Sequence, residues 1–189
     1  MAEGEIRYEY WQKERVFVRP VQGKYSELFN KLYTQPRVFK SKKIRSTGGP
    51  VNFNKFVISP QITSAPIATQ AIETHIITLA PGGKSQKHGH MNSAIVYVLE
   101  GRGYDIHDGV RLDWQAGDAY IIRNGCVHQH FNSDPNHPVR ALVMKSKPLF
   151  MFFNLIFQRT VEWPPDKASP GWERWNPDAE SAREQAEKV

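Results

Sequence analysis

Gly82-Gly83-Lys84-Ser85-Gln86-Lys87-His88-Gly89-His90, answered further along by Asn124-Gly125-Cys126-Val127-His128-Gln129-His130-Phe131-Asn132, is the part of the chain whose reading decides the fold. His88 and His90 stand two apart. In an extended strand residues i and i+2 point to the same side, about 6.5–7 Å apart along the chain. Two imidazoles placed that way can converge on one ion through bonds of about 2.1 Å. His128 must then come from another strand to complete a facial set. Three protein ligands leave coordination positions open for water, O2 or substrate.

Strand signals surround both stretches. Residues 72–79 are mostly β-branched or apolar and stop at Pro81-Gly82-Gly83. Ser93 to Leu99 is a second run, apolar enough to be buried on both faces. Tyr104–His107 and Val110–Trp114 flank Asp108-Gly109, a strong hairpin signal. Ala119–Ile122, Val127–Phe131 and Val139–Met144 continue the series. Strands recurring about every 8–12 residues, with no helical periodicity between them, predict an all-β sandwich or barrel.

That places a barrel at residues 69–158. Residues 1–68 read as an N-terminal arm with a short amphipathic helix over Ser26–Leu32. Residues 159–189 read as a Trp- and Pro-rich tail, with a last helix capped by Asn176 and opened by Pro177. Leu149–Phe157 is the most apolar stretch. It is too short for a membrane helix and has strand propensity, so burial in the barrel wall or in a dimer interface is expected.

The bulk numbers exclude several classes. Of 189 residues, 25 are Lys or Arg and 19 Asp or Glu, a net charge of +6. The clearest basic run, Lys40-Ser41-Lys42-Lys43-Ile44-Arg45, has no nucleic-acid motif beside it and reads as a solvated loop, so no nucleic-acid partner is expected. The single cysteine, Cys126, allows no internal disulfide and fits a reducing compartment. The polar N-terminus is unlike a signal peptide, and no apolar run approaches the roughly 20 residues of a membrane span. A soluble cytoplasmic protein is expected.

Both motifs resemble those of the cupin superfamily. Gly82, His88, His90 and Gly101 fit its first motif, and Gly117, Gly125, His128 and Asn132 its second. The resemblance implies a double-stranded β-helix, or jelly-roll barrel, with His88, His90 and His128 as metal ligands. Two positions depart from the pattern: Ala94 stands where the family has a Glu ligand, and Arg123 where it has Pro. Without that Glu, three neutral imidazoles leave the charge of a divalent ion uncompensated, which favours an anionic, chelating substrate. Among cupins, three-histidine iron sites are associated with ring-cleaving and thiol dioxygenases. The segment from His88 to Ala94, with Val98-Leu99-Glu100-Gly101, looks most like the gentisate and hydroxynaphthoate dioxygenases. What this implies is an Fe(II) dioxygenase using O2 on a small anionic aromatic, gentisate- or salicylate-like. Cupins often pair through N-terminal strands, which implies a homodimer. Zn, Ni, Mn and Cu remain alternatives, because imidazole suits them too. So do two other classes: a non-catalytic binding cupin, and a Zn- or Ni-dependent lyase, isomerase or hydrolase.

Further candidates follow from position. Arg123 precedes His128 and is either a bidentate carboxylate clamp or a surface arginine in a turn. His130 shares a face with His128, as a general base or as a residue packed behind the ligands. Tyr120 and Ile122 fall on one wall by alternation, with Tyr104 and Trp114 on neighbouring strands. His75 belongs to core or pocket, His107 and His137 to solvated turns. Nothing beside Cys126 lowers a thiol pKa, so it reads as a small buried residue.

Overall fold

The computed structural model describes residue 38 and residues 40–59, 71–155 and 157–179. The helix expected over 26–32 lies outside them. A short 3-10 turn, Ser41–Lys43, sits in the basic run, whose Lys40, Lys43 and Arg45 are exposed as expected of a solvated loop. The strands are β1 (Thr47–Gly48), β2 (Asn52–Ile58), β3 (Glu73–Leu79), β4 (Lys87–His90), β5 (Ala94–Glu100), β6 (Arg102–His107), β7 (Val110–Gln115), β8 (Ala119–Ile122), β9 (Val127–Asn132) and β10 (Val139–Lys145). Helix α1 (Lys147–Phe152) and β11 (Gln158–Glu162) follow. Among the described residues no helix is long and apolar enough to cross a membrane.

The strands form two antiparallel sheets, ordered β1-β2-β3-β10-β5-β8 and β11-β4-β9-β6-β7. From β3 onward the chain changes sheet at every connection except the β6–β7 hairpin, the path of a jelly roll. That hairpin turns at Asp108-Gly109, both at positive φ (47° and 87°), the twist a two-residue connection requires. Alternation sends one side of each strand into the sandwich, where Leu79, Val96, Val98, Ile122 and Val139 are all but fully buried. Each such side chain stabilises the fold by about 1.5–3 kcal/mol.

Two expectations are corrected. The run 93–99 is not buried on both faces: Ala94, Val96 and Val98 point in, while Ile95, Tyr97 and Leu99 are 49%, 43% and 45% exposed. Antiparallel sheets often leave one face to solvent, and an unbroken apolar run hides which half does so. The described residues of Leu149–Phe157 form neither a strand nor barrel wall. The chain leaves β10 in one sheet and must reach β11 in the other, and α1 makes that crossing. Pro148 fits the first turn of the helix, and Asn154, at φ 57°, ends it. Leu149, Phe153, Leu155 and Phe157 remain exposed.

Both sheets draw on residues outside 69–158. β2 pairs in register with β3, and β11, which runs to Glu162, pairs with β4. In the tail, residues 177–179 are helical, and Asn176 Oδ1 accepts the Asp178 N–H at 2.8 Å, the expected cap.

Candidate metal centre

β4 and β9 bring the three histidines together. His88 stands directly opposite His128 in the ladder, and Gly89 lies opposite Val127. A Cβ on Gly89 would meet Val127 Cγ2 at 3.1 Å and Cys126 O at 3.3 Å, so a glycine between the two histidines permits this close approach. Ring centroids lie 4.4 Å apart for His88–His128, 5.0 Å for His90–His128 and 5.3 Å for His88–His90. One ligand atom from each falls within 4.8 Å of the others.

Hydrogen bonding fixes the tautomers. His90 Nδ1 meets Asn92 O at 2.7 Å, His128 Nδ1 meets Cys126 O at 3.2 Å, and His88 Nδ1 meets Gln86 O at a longer 3.4 Å. A carbonyl only accepts, so each Nδ1 carries the proton and donates it. That leaves the Nε2 lone pair of each ring for an ion, with its orientation held from behind. Burial, foremost, also keeps the rings neutral. His90 is pushed down to about 4 by burial and then by the charge of Lys145; His128 is pushed down to about 2 by burial and then by His130; His88 falls well below the usual range for the same first reason. Three neutral, oriented imidazoles suit a divalent first-row ion.

The depressed values carry a stability consequence in metal-free protein. His90 protonates only near pH 4 when folded, against 6.5 for the ordinary group. The unfolded chain therefore binds more protons between those values, and stability falls as pH is lowered through that window, by about 3 kcal/mol from His90 alone. Thermal melts of chelator-treated protein at pH 7 and pH 4 check this, and equal Tm values would contradict it.

The rest of each motif serves as frame. Gly125, at φ 74°, lets its N–H reach His90 O at 2.9 Å, tying the β8–β9 turn to the end of β4. Asn132 Nδ2 donates to Ala80 O (3.0 Å) and His137 O (2.8 Å), and its Oδ1 accepts the Asp134 N–H (2.9 Å), fastening the β9–β10 loop to the end of β3.

The sequence over residues 75–145 matches the Cupin domain family. Residues 75–145 form a cupin domain. Its relatives are distant. A 5-aminosalicylate 1,2-dioxygenase from Comamonas sp. is 24% identical over 89 residues, which is 47% of this chain and 24% of that protein. A mutant salicylate 1,2-dioxygenase from Pseudoaminobacter salicylatoxidans superposes with TM-score 0.54 at 13% identity, covering 82% of this chain and 39% of that one. The same enzyme with gentisate gives 0.54 at 13%, covering 82% and 36%. At such identity the likeness is one of fold, and the chain spans well under half the length of these proteins.

Behind the histidines the cupin domain holds a carboxylate that the sequence reading passed over. Asp105 is fully buried on β6, directly opposite His130 in the ladder. Its Oδ2 lies 2.8 Å from His130 Nδ1 and 2.9 Å from His107 Nε2. Its Oδ1 accepts from Trp114 Nε1 at 2.9 Å and from the Tyr120 hydroxyl at 3.2 Å. The Tyr120 hydroxyl is also 3.3 Å from His130 Nδ1, and burial first, then Asp105, pushes its pKa far up, so it stays protonated. Tyr120 and His130 thus meet on one buried acid. His107 corrects the expectation of a solvated turn: its side chain is 10% exposed and stands opposite His128 across β6 and β9. His137, by contrast, is exposed as expected.

The remaining candidates separate. Arg123 is exposed on the β8–β9 turn, and its carbonyl accepts the Cys126 N–H. Ile122 is core. Tyr104 stacks on Phe131 at 4.6 Å, with Arg111 over its ring, while Trp114 is buried in the core cluster. His75 is buried 5.2 Å from the Phe56 ring. Cys126 is buried and its thiol is pushed up to about 11 by burial, the reverse of an activated nucleophile.

Proposed function

We propose that this cupin domain is a non-haem Fe(II) dioxygenase acting on a small anionic aromatic, salicylate- or gentisate-like. The observation that carries the reading is the set of three Nδ1–H bonds to backbone carbonyls, which leaves three neutral Nε2 donors, from two adjacent strands, for one ion. Support for the substrate class comes from the salicylate, 5-aminosalicylate and gentisate named for the relatives. Charge agrees: a three-imidazole centre supplies no anion, so an anionic chelator completes it best.

His88, His90 and His128 would hold the iron, which when bound supplies the redox and Lewis-acid chemistry that joins O2 to the ring. His130 would move the proton. Its Nδ1 is held by Asp105, so its Nε2 is the atom left to take a proton from a substrate hydroxyl and return it later. Tyr120 braces the same pair. Arg123, exposed on its turn, would act on a carboxylate only through solvent, where such a pair contributes about 0–1 kcal/mol. Arg123→Ala is therefore expected to raise KM for a carboxylated substrate by about fivefold at most, and a larger rise in steady-state kinetics would restore the clamp.

An oxygen electrode with a panel of phenolic acids tests the reading. Iron-loaded protein should take up O2 only when a substrate of this class is present. Protein that binds zinc or nickel and consumes no O2 would turn the assignment to a lyase, isomerase or hydrolase.

A further inference from the structure

In its sheet β4 lies between β9 and β11, so the two histidines on β4 have a neighbouring strand on each side. β9 supplies His128 and His130. On the other side Gln158 stands directly opposite His90 in the ladder, Arg159 opposite Gly89 and Thr160 opposite His88. Phe157 O accepts the Met91 N–H at 3.0 Å, which carries the pairing one residue further and holds this register. Residues directly opposite in an antiparallel pair point to the same face, with Cβ atoms about 4.5–5.5 Å apart. Burial follows that phase: Gln158 and Thr160 are partly buried, whereas Arg159 and Val161 are exposed. Gln158 and Thr160 therefore flank the histidine pair from the side away from His128.

Gln158 carries an unpaired group there. Its Oε1 is buried and has no hydrogen-bond partner. Among the described residues it is the one such atom on a strand paired with β4. A buried acceptor without a donor is unfavourable, and folded proteins rarely keep one. The reach of a glutamine carboxamide from its Cβ is similar to that of imidazole Nε2, so opposite His90 it belongs to the layer of atoms that would hold the ion. A carboxamide oxygen only accepts, so the group that completes it must be a donor. A salicylate-type ligand brings few donors. Its carboxylate has none, and the hydroxyl that chelates an ion gives up its proton. What remains is a further hydroxyl or amino group on the ring, as in gentisate or 5-aminosalicylate; salicylate itself has neither.

We propose that Gln158 sets specificity at this site: its Oε1 accepts a hydrogen bond from a second donor on the ring, so hydroxy- or amino-substituted salicylates bind in preference to salicylate. The proposal rests on the anionic-aromatic reading above. It puts the two recognition groups on either side of β4, His130 for the proton and Gln158 for the added substituent.

Calorimetric titration of zinc-loaded protein tests it, because zinc permits binding without turnover. The ligands are gentisate, 5-aminosalicylate, salicylate and 5-methoxysalicylate, the last of which fills the same ring position without a donor. Wild type should bind the first two at least about fivefold more tightly than the others. Gln158→Met keeps the length of the side chain and removes the amide. In that variant the four affinities should fall within about twofold of one another, through loss for the two donor ligands alone. Zinc content should be unchanged, and the Tm of the ligand-free variant should hold or rise, since an unpartnered buried acceptor is gone. A wild type without preference, or a preference that survives in Gln158→Met, would overturn the role. So would a drop in zinc content, which would make Gln158 a ligand of the ion, or a lower Tm, which would mean that Oε1 already has a partner. Oxygen uptake is a separate readout: its absence from iron-loaded protein would sink the dioxygenase reading and leave this binding result standing. No binding of any of the four ligands would sink both.

Discussion

Replacing His128 by alanine is expected to abolish metal loading and turnover together. His128 is the one member of the three-histidine set on β9, and it sits 1% exposed, in register with His88. Without it, the two remaining imidazoles both come from β4 and close no facial set. The loss should exceed the roughly 10–100-fold that removing an outer hydrogen-bond partner of a ligand costs in metal affinity. His130→Ala supplies the contrast. His130 is nearly as buried and only two residues away, yet its Nδ1 is committed to Asp105. That variant should keep its metal and lose about 10²–10⁴-fold in rate, the usual contribution of a positioned acid–base group. Elemental analysis of the two purified variants separates them, and a His128→Ala protein with full metal content would contradict the assignment.

The second large effect is expected at Asp105. Its carboxylate collects Trp114, Tyr120, His107 and His130 from four different strands. Burial alone would raise its pKa. Its attraction to His130, first among the opposing effects, and the hydrogen bonds from His107, His130 and Trp114 overcome that and hold it well below the ordinary carboxylate range. A group depressed in this way stabilises the fold above the unfolded carboxylate pKa, and that stabilisation fades as pH falls below about 4. Asp105→Asn keeps the shape and removes the charge. Hydrogen bonds to charged groups contribute about 1.5–3 kcal/mol each and do not simply add, so a net loss of about 3 kcal/mol is expected. For a domain of this size that lowers Tm by about 6–12 °C. Scanning calorimetry at pH 7 reads it, and an unchanged Tm would mean that the network contributes little.

The sequence exposed what is periodic and local. β6, β7 and their Asp108-Gly109 turn could be read because each signal spans a few residues. The three histidines could be read because spacing alone puts His88 and His90 on one side of a strand. What stayed hidden depends on non-local geometry. β5 is apolar at both phases, so alternation could not say that Ile95 and Tyr97 face outward. Leu149–Phe157 has strand propensity, but the crossing between sheets placed α1 there instead. His107 precedes a turn and looked solvated, yet it is the last residue of β6 and lies across from His128. Asp105 had one weak signal, a carboxylate on the inward phase of a strand beside Gly103. Its four partners come from β6, β7, β8 and β9, so no window of sequence contains them.

Metal content of protein purified without oxygen, measured per chain for wild type and for His88→Ala, His90→Ala and His128→Ala, tests the central claim most directly. The account predicts close to one ion per wild-type chain, held at a single site and lost in all three variants. A wild-type chain that takes up no divalent ion with all three histidines intact, or variants that keep it, would contradict the metal centre itself.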